Sequence, residues 1–482
     1  MALARGQYVT VKSLALGFLL LISIAGGIGV IFPPHIYPVA VVVGLLALIF
    51  MIYSPIAALL AYLVFFLAWP QEWAPYFQYL PPFTERIVGF VAMGSVAISM
   101  LVKQRSTFYL GRVGYASIGL MAAFSVTAST AYYLTEVKDT LFEVLRLFVV
   151  FILVVNICDT PKKLRAVVWL YMLAVGLMVI MSVVNYYNGI IWFRMGIARA
   201  LGLGLSYADP NSHSATIVYC LPVMFYAWRQ NPSRVQKIVI GALGLLGCWN
   251  IILTGSRTAM LGVLFLAGAI ILRSRRKLLY GALAAVLLVG AFLVMPHQYK
   301  ERFESTTDLT SEASAAESAR GRIEGLEHGL KLFMKSPLTG VGAGCYQIAR
   351  GQEFGVYFSA HNMLGELMAE TGIVGMTAFG VFVWAIFATI RRNRRHLDAL
   401  ADSEDHRFMR DLNDGLLVGF LLLFMIGLGS HNLYRYNWFF FGALVTVIGR
   451  LLGNESRSAQ DSAPPPDSAR PALEESPEEM PS

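Results

Sequence analysis

Charged residues in this chain collect in short clusters, and between the clusters lie apolar runs about twenty residues long, the length a helix needs to cross the hydrocarbon core of a bilayer. Residues 238–253 and 278–295 are clear cases, and 39–52 is a shorter one. Lipid offers a backbone amide no hydrogen-bond partner, so a crossing segment is either helical or part of a closed barrel. The runs lack two-residue alternation, which excludes the barrel. The expected fold class is all-α, a polytopic transmembrane helical protein of about 12–14 spans. A composition of 56% hydrophobic against 14% charged residues agrees.

The spans are expected at 14–32, 36–53, 55–69, 86–102, 113–131, 141–157, 165–184, 212–228, 238–254, 258–272, 278–295, 362–389, 414–429 and 434–452. The smaller count holds if a weak pair is re-entrant or interfacial. Residues 14–32 follow Arg5 and Lys12, as a secretory leader would. The segment is long, however, and no small-x-small cleavage site ends it, so it reads as an uncleaved first span.

Alternate connections carry Lys103, Arg105 and Arg112; Lys162, Lys163 and Arg165; Arg229, Arg234 and Lys237; Arg273, Arg275, Arg276 and Lys277; and Arg391, Arg392, Arg394 and Arg395. All fall on one side, which the positive-inside tendency assigns to the cytoplasm together with both termini. The formal charge of +8 is thereby a topology signal, and no nucleic-acid partner is expected. Cys158, Cys220, Cys248 and Cys345 have no paired spacing, so neither a disulfide framework nor a metal site is implied. The domain organisation is a membrane domain over 1–453, a long outer loop at 296–361 inserted in it, and a disordered tail at 454–482 rich in Pro, Ser and Glu.

The 296–361 loop is long for a bare connection, which favours a functional role. Within 318–336, Ile323, Leu326, Leu330 and Phe333 recur at three- and four-residue steps, predicting an amphipathic helix. Pro337 stops it, and Gly340, Gly342 and Gly344 form a turn. The apolar face of such a helix packs over the spans or rests on lipid; either placement roofs a cavity that opens outward.

The candidate residues gather on that outer face. Arg257 stands in Gly255-Ser256-Arg257-Thr258, between two apolar runs with almost no loop. It reads either as an interfacial snorkelling arginine or as an anion clamp, since guanidinium holds phosphate oxygens through a rigid fork. Arg194 and Arg199 precede Ala208-Asp209-Pro210-Asn211, and the glycines around Arg199 permit close backbone approach to a ligand. Each is also an ordinary loop residue by default, and Asp209 suits a helix cap. His361, in Ser359-Ala360-His361-Asn362, suits proton transfer near neutral pH; the alternative is a plain helix start capped by Ser359 or Asn362. His431 repeats the His-Asn pairing and is the weaker of the two histidines. Glu366 and Glu370 follow His361 too far along one straight helix for contact to be assumed.

The chain resembles the O-antigen ligase and polymerase superfamily of bacterial envelope glycan-transfer proteins. Three segments carry the likeness: Thr254-Gly255-Ser256-Arg257-Thr258-Ala259-Met260-Leu261-Gly262; the run from Ser318-Ala319-Arg320-Gly321-Arg322 through Gly329 to Ser336-Pro337-Leu338-Thr339-Gly340-Val341-Gly342; and Ala360-His361-Asn362 followed by Thr371-Gly372-Ile373-Val374-Gly375. They span roughly residues 249–391, and the tail lies outside the likeness. The resemblance implies a transferase at the periplasmic face of the inner membrane. Its donor is a glycan on undecaprenyl diphosphate, and in the ligase branch its acceptor is lipid A–core oligosaccharide. Membrane lipids are the remaining partners, and no cofactor or metal is implied. By the same resemblance His361 is the general base, Arg257 the diphosphate contact and Arg199 a second one, with Arg194, Asn362 and His431 in the binding surface. A polysaccharide polymerase and a protein O-glycan transferase share these motifs. A permease or flippase would instead place ionisable residues centrally in several spans.

Overall fold

The apolar runs from residue 55 onward fold as helices. The computed structural model describes residue 44 and residues 47–70, 83–102, 108–194, 197–203, 208–230, 232–294, 297, 299–300 and 314–461. Its helices are α1 (Pro55–Ala68), α2 (Thr84–Val102), α3 (Gly111–Val126), α4 (Leu134–Ile157), α5 (Pro161–Tyr187), α6 (Pro210–Arg229), α7 (Arg234–Thr254), α8 (Arg257–Arg273), α9 (Lys277–Val294), α10 (Ser314–Lys335), α11 (Tyr346–Phe354), α12 (Met363–Ala399), α13 (Glu404–Gly427) and α14 (Tyr436–Asp461). Every span expected from residue 55 on coincides with one of α1–α9 or α12–α14. The expected span 14–32, most of 36–53, the cations Lys103 and Arg105, residues 301–313 of the long loop and residues 462–482 of the tail lie outside the described residues.

Seven helices among the described residues are long and apolar enough to cross a membrane: α2, α3 with the 3₁₀ turn after it, α4, α5, α7, α12 and α14. α1 and α9 are shorter apolar helices. The chain is a multi-pass membrane protein. The hydrophobic window of α14 is 83% buried, while the other six are 33–56% buried, so α14 is the hub and the others turn apolar faces outward. Trp438, Phe440 and Phe441 of α14 meet Phe379 of α12, Phe420 of α13 and Tyr171 of α5 around that hub.

Helix starts follow local chemistry. Pro55, Pro161 and Pro210 occupy first turns, where a missing N–H breaks no intrahelical bond. Thr160, Asp209, Ser233, Asn362 and Ser403 cap their helices with side-chain oxygens. The expectation of an Asp209 cap holds. Three details depart from expectation. β1 (Ile191–Arg194) and β2 (Ile197–Ala200) pair as an antiparallel two-stranded hairpin, so the outer segment before α6 is not wholly helix and turn. α14 continues to Asp461, into the stretch whose composition reads as tail. The span expected at 362–389 is a broken helix, with Gly372 at φ 57° and ψ −159°.

That break is stitched by the glycine turn after α10. Ile373 and Val374 donate their N–H groups to Pro337 O (2.8 Å) and Leu338 O (3.1 Å). In return Val341 N and Gly342 N donate to Ala369 O (2.8 Å) and Glu370 O (3.1 Å). The Glu370 carboxylate adds Gly344 N at 2.9 Å, Tyr346 N at 3.1 Å and the Tyr434 hydroxyl. Unwound backbone at membrane depth is tolerated where protein supplies its partners in this way. A Cβ on Gly340 would sit 2.3 Å from the Glu370 carbonyl carbon, and φ there is +72°. Gly355 shares that φ with open space around it. Gly355→Ala is therefore expected to cost about 1–2 kcal/mol from left-handed strain alone. Gly340→Ala should lower the thermal midpoint in detergent by clearly more, and equal losses would contradict the stitched break.

α10 packs against the first half of α12, but not through its apolar row. Ile323, Leu326, Leu330 and Met334 are exposed, and Phe333 is half-buried. The buried positions are Gly325, Gly329 and Leu332. A Cβ on Gly325 would lie 2.1 Å from Ala360 O, and one on Gly329 would lie 2.6 Å from Gly365 O. Small residues four apart let two helix backbones approach closely, and here that contact outcompetes burial of the apolar row.

Candidate functional site

The ends of the helices sort chemically. At one end Arg165 meets Asp405 at 2.9 Å, Arg394 meets Asp414, and Arg450 donates to Val155 O at 2.7 Å. This end holds the starts of α5 and α13 and the close of α12, where the basic clusters stand. The opposite end holds the close of α7 and α13 and the starts of α6, α8 and α12. Every candidate residue with a described side chain is there.

Gly255 closes α7 in the left-handed region (φ 60°), and Ser256 turns the chain directly into α8, so Arg257 becomes the first residue of that helix. It is half-buried. Its neighbour Thr258 accepts a hydrogen bond through Oγ1 from Arg322 Nη2 at 3.2 Å. Arg322 Nε donates to Gly429 O at 3.0 Å, in the turn between α13 and α14. One guanidinium thus ties α10 to the start of α8 and to the turn that carries His431. Burial pushes the Arg322 pKa below its ordinary value, yet a guanidinium remains cationic at any physiological pH.

His361 adopts φ 48°, the left-handed region that a non-glycine residue enters at a cost of about 1–2 kcal/mol. Such strain persists where the surroundings over-determine it. Ala360 before it is fully buried against α10. After it, Asn362 Oδ1 accepts from Leu364 N (2.9 Å) and Gly365 N (3.2 Å), while its Nδ2 donates to Leu428 O (3.2 Å). Asn362 is therefore the cap of α12 and a tie to the end of α13. The segment before His361 is shaped by buried Arg350 of α11, whose Nη1 reaches Phe358 O and Ser359 O at 3.4 Å each. Arg350 Nε donates to His328 Nδ1 at 2.9 Å. Burial, and then Arg350, hold the His328 pKa below its ordinary value, consistent with a neutral ring accepting that bond.

The His361 side chain is exposed, and its ring lies 5.5 Å from that of His431. Burial, Arg435 and then His361 lower the His431 pKa to about 4, with Asp209 acting in the opposite sense. His431 is thus a neutral imidazole at neutral pH. Its turn is fixed by Asn432, whose Nδ2 donates to Leu423 O (2.7 Å) and to the Tyr219 hydroxyl (3.2 Å).

Arg199 is buried on β2 opposite Trp192. Its Nε donates to Thr254 O at 2.6 Å and its Nη2 to Asn211 Oδ1 at 2.8 Å, so it joins the hairpin to the close of α7 and the start of α6. Tyr299 reinforces the same junction, donating to Ala198 O (2.5 Å) and lying 3.0 Å from Leu253 O. Arg194 pairs with Ile197 across the hairpin. His213, by contrast, is a core tie, with Nε2 3.0 Å from Asn250 Oδ1. Glu370 is engaged in the stitched break.

Sequence reasoning did not single out Arg322 or Arg350. Arg322 had a legible signal, since it shares one helical face with Gly325, Gly329 and Leu332. The resulting site combines guanidinium charge at the mouth of α8, an exposed imidazole and a second, neutral imidazole behind it. Guanidinium and imidazole groups are the side chains suited to holding an anion and to taking up a proton.

Residues 242–380 match the protein family described as O-antigen ligase. The chain carries an O-antigen ligase family domain. The matched stretch takes in Arg257, Arg322, His361 and Asn362, and the fold adds Arg199 and His431 from outside it to the same end. No curated protein matches the chain.

Proposed function

We propose that this protein is an inverting glycosyltransferase that moves a glycan from undecaprenyl diphosphate to a hydroxyl of lipid A–core oligosaccharide at the periplasmic face of the bacterial inner membrane. The observation that carries this reading is the Arg322 bridge from Thr258 to Gly429, which gathers Arg257, Arg322, His361 and His431 at one end of the helices. The basic clusters stand at the other end, which supports a cytoplasmic placement for them and an outward-facing site.

In this mechanism His361 takes the proton of the acceptor hydroxyl as its oxygen bonds to the anomeric carbon of the donor sugar. The bond from that carbon to the diphosphate oxygen breaks, and the electron pair leaves with the diphosphate. Arg257 and Arg322 stabilise the charge that develops there, which is the role a divalent cation often fills. Arg199 adds positive charge beneath the same turn, and Arg194, Asn362 and His431 belong to the surrounding binding surface. A single displacement inverts the anomeric centre. α10, held to α12 by its glycine face, turns its apolar row toward lipid and screens the site from competing water.

The test is product identity. Purified full-length protein is incubated with radiolabelled undecaprenyl-diphosphate glycan and, separately, with lipid A–core, a second lipid-linked glycan or a serine-rich acceptor protein. Label should move to lipid A–core. Label moving only to another acceptor would overturn the acceptor assignment, and no transfer to any of them would overturn the enzyme itself.

A further inference from the structure

His431 has no role in the mechanism above beyond lining the site, yet its placement is specific. Its ring lies 5.5 Å from the His361 ring at an interplanar angle of 47°. Its Nδ1 is enclosed by protein and has no hydrogen-bond partner. An enclosed nitrogen left without a partner is costly to a fold, so its retention beside a strained, exposed histidine calls for a reason. The surroundings also keep this nitrogen able to accept. Burial, Arg435 and His361 all oppose protonation of His431, and Asp209 alone among the nearby groups favours it. Asn432 and the Arg322 contact at Gly429 hold the turn from both flanks, which fixes the backbone that carries His431.

We propose that His431 orients His361: its neutral imidazole accepts a hydrogen bond from the ring N–H of His361, fixing the tautomer whose other nitrogen faces the acceptor hydroxyl. The bond strengthens when His361 gains the acceptor proton, because its donor is then an imidazolium. No proton passes to His431. It is a positioning residue, with the part that a carboxylate plays behind the histidine of a serine hydrolase. Neutrality suits this site, since a carboxylate there would compete with the donor diphosphate for the arginines.

This inference rests on the reading of His361 as the base, and the experiment separates the two. Transfer from labelled undecaprenyl-diphosphate glycan to lipid A–core is measured for the full chain and for His431→Phe, His431→Asn and His361→Ala. Phenylalanine keeps a ring and removes both nitrogens, whereas asparagine returns an acceptor near the Nδ1 position. His431→Phe should lose about tenfold in kcat, the worth of one hydrogen bond to a charged group, with KM for the donor little changed. His431→Asn should recover part of that loss, and neither variant should fall below the thermal midpoint of the parent. A His431→Phe variant with parental kcat would overturn the inference, as would equal losses in both variants accompanied by a lower midpoint. If His361→Ala transfers normally, the base reading itself falls; if it is inactive while His431→Phe is normal, only the orienting role does.

Discussion

Replacement of His361 by glycine is expected to lower glycan transfer by about two to four orders of magnitude while leaving the protein at least as stable as the parent. The two halves of this result come from different physics. Removal of the imidazole removes the proton acceptor, and general-base catalysis of this kind contributes that much to a rate. Glycine adopts φ 48° without the left-handed cost, so the exchange relieves strain that His361 now carries. Stability that rises while activity falls is the signature of a residue kept for chemistry. Alanine should lose the same activity without the gain in midpoint. Transfer assays and thermal unfolding of the same detergent preparations check both halves, and a His361→Gly protein that transfers normally would remove this residue from the mechanism.

Arg257→Ala is expected to reduce kcat by about 10²–10³, the range for loss of one preorganised group at a centre of developing charge. Arg322→Ala should lose comparably, and Arg322→Lys should recover little. Lysine keeps the charge, but it cannot reach Thr258 and Gly429 together, because those contacts use two nitrogens of one planar fork. Arg257→Lys retains the charge at the mouth of α8 and should keep more activity than Arg257→Ala. Steady-state transfer with the donor varied separates kcat from KM. Parental kinetics in Arg257→Ala would rule out a diphosphate contact there.

The spans were legible because lipid imposes one simple rule, a run of apolar residues long enough to cross. From residue 55 onward each expected run is a helix. What periodicity could not supply was the direction in which a helix faces. The row Ile323, Leu326 and Leu330 located α10 correctly, but the packed face is the neighbouring one, rotated by about 100°. In water an apolar row is the buried row. In α10 that row is exposed, and close-packing glycines decide the protein contact instead. Arg322 was missed for that reason, because its face looked polar and therefore exposed. The break at Gly372 was hidden similarly, since nothing within 362–389 signals that Pro337 and Leu338 will supply the partners its freed N–H groups need. His361 and Arg257 could be named from residue type and position. Their common location could not, because it depends on Arg322, Asn362 and the turn at 428–435, which bring together segments far apart in the chain.

In the proposed reaction, cationic side chains and His361 meet a lipid diphosphate in one outward-facing chamber. Thr258→Cys and His361→Cys, each in a background lacking the four native cysteines, give it a direct test in intact inner-membrane vesicles of known orientation. A membrane-impermeant maleimide should label both positions from the periplasmic side, and added undecaprenyl diphosphate should protect both. Labelling of the two positions from opposite sides, or protection of neither, would contradict the account.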